Sequence, residues 1–163
     1  MKAIITRALV ALVVVACAGF AAAPALAADT IKIENAWTRA TPPGAAAGGG
    51  FLTITNTGPE DDTLVGGSAP GVGKTEIHMM EVKDGIMKMA PVPGGLTIPA
   101  GETVTLKPGS YHVMFMKLDK PFVEGEMLDA TLTFAKAGDM PVHFMIDKVG
   151  VKEPTMMHKH SGN

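Results

Sequence analysis

Turn chemistry constrains this chain most tightly. Signals built on Gly and Pro follow one another along it: Thr41-Pro42-Pro43-Gly44, Asn56-Thr57-Gly58-Pro59, Gly66-Gly67, Lys83-Asp84-Gly85, Pro99-Ala100-Gly101 and Lys107-Pro108-Gly109-Ser110. Proline lacks the amide that a helix interior or a central strand needs, and Asp-Gly supplies the positive φ values of a tight hairpin. The runs between the signals are too short for amphipathic helices, and several alternate apolar with polar residues as half-buried strands do. Ile31, Ile33 and Asn35 alternate with Lys32 and Glu34, and later runs cover residues 51–55, 74–82, 86–89, 111–118, 127–134 and 141–150. Roughly nine short strands at this spacing predict an all-β chain folded as a two-sheet sandwich or Greek-key barrel. Residues 45–50 read as a flexible linker between strands, and Trp37, the single tryptophan, as a core residue.

The N-terminus carries a different signal. Lys2 and Arg7 precede an apolar run from Ala8 to Ala16, and Ala25-Leu26-Ala27 precedes the first acid, Asp29. A basic, then apolar, then A-x-A segment is a secretory leader, so residues 1–27 are expected to be removed and the mature chain to begin at Ala28. Val15-Ala16-Cys17 offers a second reading, bacterial lipoprotein processing at Cys17. Removing 27 of 163 residues leaves 136, enough for one domain, residues 28–152, followed by a polar tail, residues 153–163. Cys17 is the only cysteine, so this mature chain has neither a disulfide framework nor a thiolate. Loss of Lys2 and Arg7 leaves 12 basic against 16 acidic residues, a net charge of −4, with no basic stripe for nucleic acid.

Histidine and methionine recur between Thr75 and Met116: His78, Met79 and Met80, then Met87 and Met89, then His112, Met114 and Met116. Residues i and i+2 of a strand share a face, so His78 goes with Met80, and His112 with Met114 and Met116. Lys83-Asp84-Gly85 should fold residues 86–89 back towards His78. Imidazole and thioether are neutral donors for a soft or borderline ion, and they suit Cu(I), whereas Ca and Mg require oxygen. Methionine also fills gaps in cores, so no single one argues for a metal. The set does, because core packing gives no reason to place imidazoles among the thioethers.

Three other groups of residues call for comment. His143 and Met145 repeat the His-x-Met spacing, but without a methionine-rich hairpin beside them they read as structural. Asp61 and Asp62, next to Pro59, read as a solvated loop. Met156, Met157, His158 and His160 follow Pro154 and could form a mobile auxiliary metal site, with the two imidazoles taking Cu(II).

These residues resemble a known family, the periplasmic copper chaperones called PCu(A)C. The resemblance runs from Ala36-Trp37-Thr38-Arg39 through Phe51-Leu52-Thr53-Ile54-Thr55-Asn56, Glu76-Ile77-His78-Met79 and Gly85-Ile86-Met87-Lys88-Met89 to Gly109-Ser110-Tyr111-His112-Val113-Met114. The family motif is a histidine, ten residues, a methionine, about twenty-one residues and His-x-Met. Here His78 and Met89 keep the first spacing, and twenty-two residues separate Met89 from His112, one more, in a region of turns where length costs little. The resemblance implies a cupredoxin-like Greek-key β-sandwich and Cu(I) held by His78, Met89, His112 and Met114. It also implies delivery of that copper to the dinuclear centre of cytochrome c oxidase subunit II, alongside a Sco-type protein, in the periplasm. Three other functions compete: copper storage or resistance, a metal-free β-sandwich interaction module, and a copper redox protein. A blue-copper carrier needs a cysteine ligand, which the mature chain lacks. The expectation is a binding protein and not an enzyme.

Overall fold

The computed structural model describes residues 30–155. The leader, Cys17 and the tail donors Met156, Met157, His158 and His160 lie outside the described residues. Ten strands follow in order: β1 (Ile31–Arg39), β2 (Ala47–Asn56), β3 (Asp62–Ser68), β4 (Val72–Lys83), β5 (Ile86–Pro91), β6 (Leu96–Ile98), β7 (Thr103–Leu106), β8 (Tyr111–Leu118), β9 (Met127–Phe134) and β10 (Gly138–Asp147). They pair in the order β4-β8-β2-β1-β10-β9-β3, and β3 returns to β4 through Gly67 and Thr75. The result is a closed, seven-stranded barrel, mixed because β1 and β10 run parallel, with β5, β6 and β7 added along β4, β3 and β2. Closure removes most of the unpaired edges that an open sheet would leave to other chains. This is the cupredoxin-like Greek-key architecture expected from the sequence.

Alternation along the strands sends one side chain in two inward. Leu52, Ile54, Val113, Phe115, Leu132 and Phe144 are fully buried there. Phe115 meets Phe122 and Phe144 edge to face, with ring centroids 5.8 and 5.4 Å apart, the arrangement that aromatic quadrupoles favour.

Three details depart from the expectations. The glycines at 48–50 belong to β2, and they are there for space. A Cβ at Gly50 would stand 2.7 Å from Phe115 Cε2, and one at Gly48 would stand 2.9 Å from Phe122 Cε2. In β1, Asn35 adopts φ 54° and one extra residue enters between the pairs Ile33–Ile54 and Trp37–Phe51. Such a bulge exchanges the two faces beyond it. Trp37 is therefore buried on the outer face against Phe51, at 4.7 Å between ring centroids, while Thr38 turns into the core. Asp62 is buried and not solvated: Oδ1 accepts from the amides of Thr63 and Lys136, and Oδ2 from that of Ala137, fastening the β9–β10 turn to β3.

Candidate metal centre

The outer face of β4, β8 and β5 collects the soft donors. In the antiparallel register His78 lies opposite His112, and Glu76 opposite Met114, while Met80 of β4 lies opposite Met89 of β5. Ile77 and Val113, one residue along, pair with each other in the core, so the histidines and these methionines point the other way. The His78 and His112 ring centroids are 6.1 Å apart. His112 and Met114 line a cleft of about 210 Å³ together with Met80, Met89, Phe51 and Arg39. His78 does not line it but stands directly behind His112 in the register. Gly49, opposite Met114, helps keep the cleft open, since a Cβ there would come within 3.3 Å of Phe51 Cζ. Arg39 is the one charged residue of the lining, with its guanidinium carbon 5.3 Å from the Phe51 ring centre. A lining with thioethers, an imidazole and no carboxylate disfavours hard cations.

The hydrogen bonds of the two imidazoles define which nitrogens could bind a metal. His112 Nδ1 donates to the Ser110 carbonyl at 2.9 Å, which fixes the proton on that nitrogen and leaves a lone pair on Nε2. His78 Nε2 donates to Glu76 Oε2 at 3.0 Å, which leaves the lone pair on Nδ1. Both remaining nitrogens, His112 Nε2 and His78 Nδ1, are buried without a hydrogen-bond partner. Leaving such a group unsatisfied costs about 1–3 kcal/mol, and a soft cation is the partner that an outward lone pair in a thioether setting would take. Oriented from behind by a carbonyl and a carboxylate, the rings have the support that metal-binding histidines usually have.

Burial pushes the His112 pKa down; the Ser110 bond opposes that shift and the nearby His78 adds to it. The ring is thus held neutral, as a ligand must be. The Glu76 carboxyl is held below the ordinary carboxylate range by its bond to Lys74 and then by that to His78, so it stays an anion and an acceptor. Among the described residues no three His, Cys, Asp or Glu side chains gather to hold a metal, so a metal at this site must draw on sulfur.

Of the four candidate ligands, the fold places His112, Met89 and Met114 in one cleft and His78 beside it. Met89 faces Met80 across the hairpin, because Pro91 is the residue opposite His78. Met80 also lines the cleft, a methionine outside the four candidate ligands. Its signal was present, two residues beyond His78 on the same face, but the length of β5 was needed to set it against Met89. Met87, opposite Val82, lies further out and is 64% exposed. A larger cleft, of about 830 Å³, lies between β1, β2, residues 105–109 and residues 150–154, and its lining has no histidine or methionine.

Known proteins place the chain in context. Residues 31–146 match the family model "Putative lipoprotein LpqE-like". A relative from Leifsonia xyli subsp. xyli, also described as a "Putative lipoprotein", is 32% identical over 119 residues, covering 73% of this chain and 70% of the relative. The apo PCuAC domain from PmoF1 is 27% identical, with a TM-score of 0.61 over 73% of this chain and 94% of that domain. The Cu(I) solution structure of DR1885 from Deinococcus radiodurans is 30% identical, with a TM-score of 0.55 over 72% of this chain and 77% of the other. Sequence and fold agree across the whole barrel: the chain belongs to the LpqE-like family, and its domain is homologous to the PCuAC (PCu(A)C) domains.

Proposed function

We propose that the chain is a periplasmic copper chaperone that carries one Cu(I) on His78, Met89, His112 and Met114, with Met80 beside them as an exchange donor. The observation that carries this reading is the pair of buried, unpartnered nitrogens, His112 Nε2 of a residue lining a thioether-rich cleft and His78 Nδ1 of the residue beside it. Homology to PCuAC domains, one of them solved as its Cu(I) form, supports it. Neutral donors hold Cu(I) with no thiolate for periplasmic oxidants to attack. Met89 is 46% exposed on the outermost hairpin, which gives a partner's ligands a place to begin exchange. The work is binding and delivery, without turnover.

Delivery to the dinuclear copper site of cytochrome c oxidase subunit II, with a Sco-type protein alongside, belongs to the same proposal and rests on the family resemblance. So does export by the leader. The family description directs attention to Cys17 as an acylation site, and no helix among the described residues is long and apolar enough to cross a membrane. The tail donors Met156, Met157, His158 and His160 are proposed as an auxiliary site that takes Cu(II) on the imidazoles.

Replacing both Met89 and Met114 with Leu conserves volume and removes sulfur, so the fold should persist and Cu(I) affinity should fall in anaerobic competition with a chelator. Unchanged affinity would remove these residues from the site. Incubating the Cu(I)-loaded chain with an oxidase subunit II fragment separates delivery from storage: a carrier metallates the fragment and a store does not.

A further inference from the structure

The His-x-Met pair on β10 has neighbours that its sequence does not reveal. In the β9–β10 register His143 lies opposite Asp129, and Met145 lies opposite Met127. Phe144 and Leu128, the pair between them, are buried in the core, so the other four side chains share the outer face. Directly opposed residues have Cβ atoms about 5 Å apart and diagonal ones about 7–8 Å, within reach of a common ion for long side chains. His143 Nδ1 donates to Asp129 Oδ1 at 2.6 Å, which places the proton on Nδ1 and the ring's lone pair on Nε2. Met127 is 50% exposed and Met145 half-buried.

From this juxtaposition we propose that His143 Nε2 and the sulfurs of Met145 and Met127 form a second site for a soft monovalent cation, Cu(I) or Ag(I), with Asp129 as its positioning residue. Two thioethers and one imidazole make a three-donor set of the kind such ions accept, while the single carboxylate is engaged with the ring. Hard divalent ions have too few oxygens here.

The site is separate from the cleft on β4, β5 and β8. Met127, Met145, Trp37 and Phe51 follow one another strand by strand across the outer face, and the Phe51 ring meets that of His112, opposite His78, at 6.4 Å between centroids, completing one transverse row. Met145 and His112 stand three strands apart in that row, about 14 Å along the sheet at the usual strand spacing. Trp37 and Phe51 fill the interval, so no single ion can be shared. The second site is also more open, since His143 and Asp129 are both exposed. It should therefore be the weaker of the two.

The test is a titration of the full exported chain, labelled with ¹³C at its methionine methyl groups, with Ag(I) followed by NMR. Met127 and Met145 signals should move together, in a step of their own after that of Met89 and Met114. The Met127→Leu, Met145→Leu double variant should lose this step and keep the first. Asp129→Asn should weaken the second step, since the ring loses the bias that fixes its tautomer, but by less than about tenfold, because the carboxylate is exposed and water can replace part of it. His143→Ala should do at least as much. Met127 and Met145 signals that stay still in excess Ag(I) would overturn the proposal and leave the chaperone reading intact. Movement of Met127 and Met145 without Met89 and Met114 would do the reverse. An Asp129→Asn variant that binds as well as the native chain would overturn the role given to Asp129.

Discussion

Glu76 offers the sharpest test of how the cleft holds copper. Its carboxylate accepts the Nε2–H of His78 at 3.0 Å, and Lys74 holds it from the other side. Glu76→Gln keeps size and hydrogen-bonding capacity but can present an amide donor to the ring as readily as an acceptor. His78 then loses the bias that leaves its lone pair on Nδ1. Comparable changes behind metal-bound histidines weaken affinity about 10–100-fold. The lower end is expected here, because Glu76 is partly exposed and water can replace part of what it supplies. The assay is anaerobic Cu(I) competition against a chelator at neutral pH. It should be run on the native chain, Glu76→Gln, His78→Ala and the double variant. A residue that acts through His78 should lose its effect once His78 is gone, so the double variant should bind no worse than His78→Ala alone. An equal loss in both backgrounds, or no loss in the native one, would refute the reasoning.

Two further outcomes follow from other parts of the structure. Burial lowers the His112 pKa, so its NMR-monitored titration in the copper-free protein should have its midpoint below the ordinary 6.5. Protons then compete with Cu(I) at this ring only below that lower midpoint. Over the interval between the two values the unfolded chain takes up the proton before the folded one does, and stability falls with pH until the folded ring is protonated too. A midpoint at or above 6.5 would contradict the burial described for this ring. Gly50→Ala should lower the unfolding free energy by about 1–3 kcal/mol in urea, because its Cβ would meet the Phe115 ring at 2.7 Å; a variant of native stability would show that the aromatic core yields.

The class of fold and the chemistry of the candidate ligands are legible in the order of residues alone. Turn residues limited the length of every element, alternation within the short runs selected strands, and the run from His78 to Met116 announced soft neutral donors without thiolate. These properties are read along the chain, without knowing which strand pairs with which. The sides and neighbours of the donors depend on register, which is not local. One extra residue at Asn35 carried Trp37 from the expected core to the outer face, where it packs against Phe51. The glycines that looked like a flexible linker are strand residues because the rings of Phe115, Phe122 and Phe144, far away in sequence, occupy the space beside them. Pairing of β4 with β5 and β8 brought Met80 to Met89 and His78 to His112, and pairing of β9 with β10 set Met127 opposite Met145. A strand's pattern fixes which of its residues share a face, but only closure of the barrel fixes which residue of another strand stands opposite.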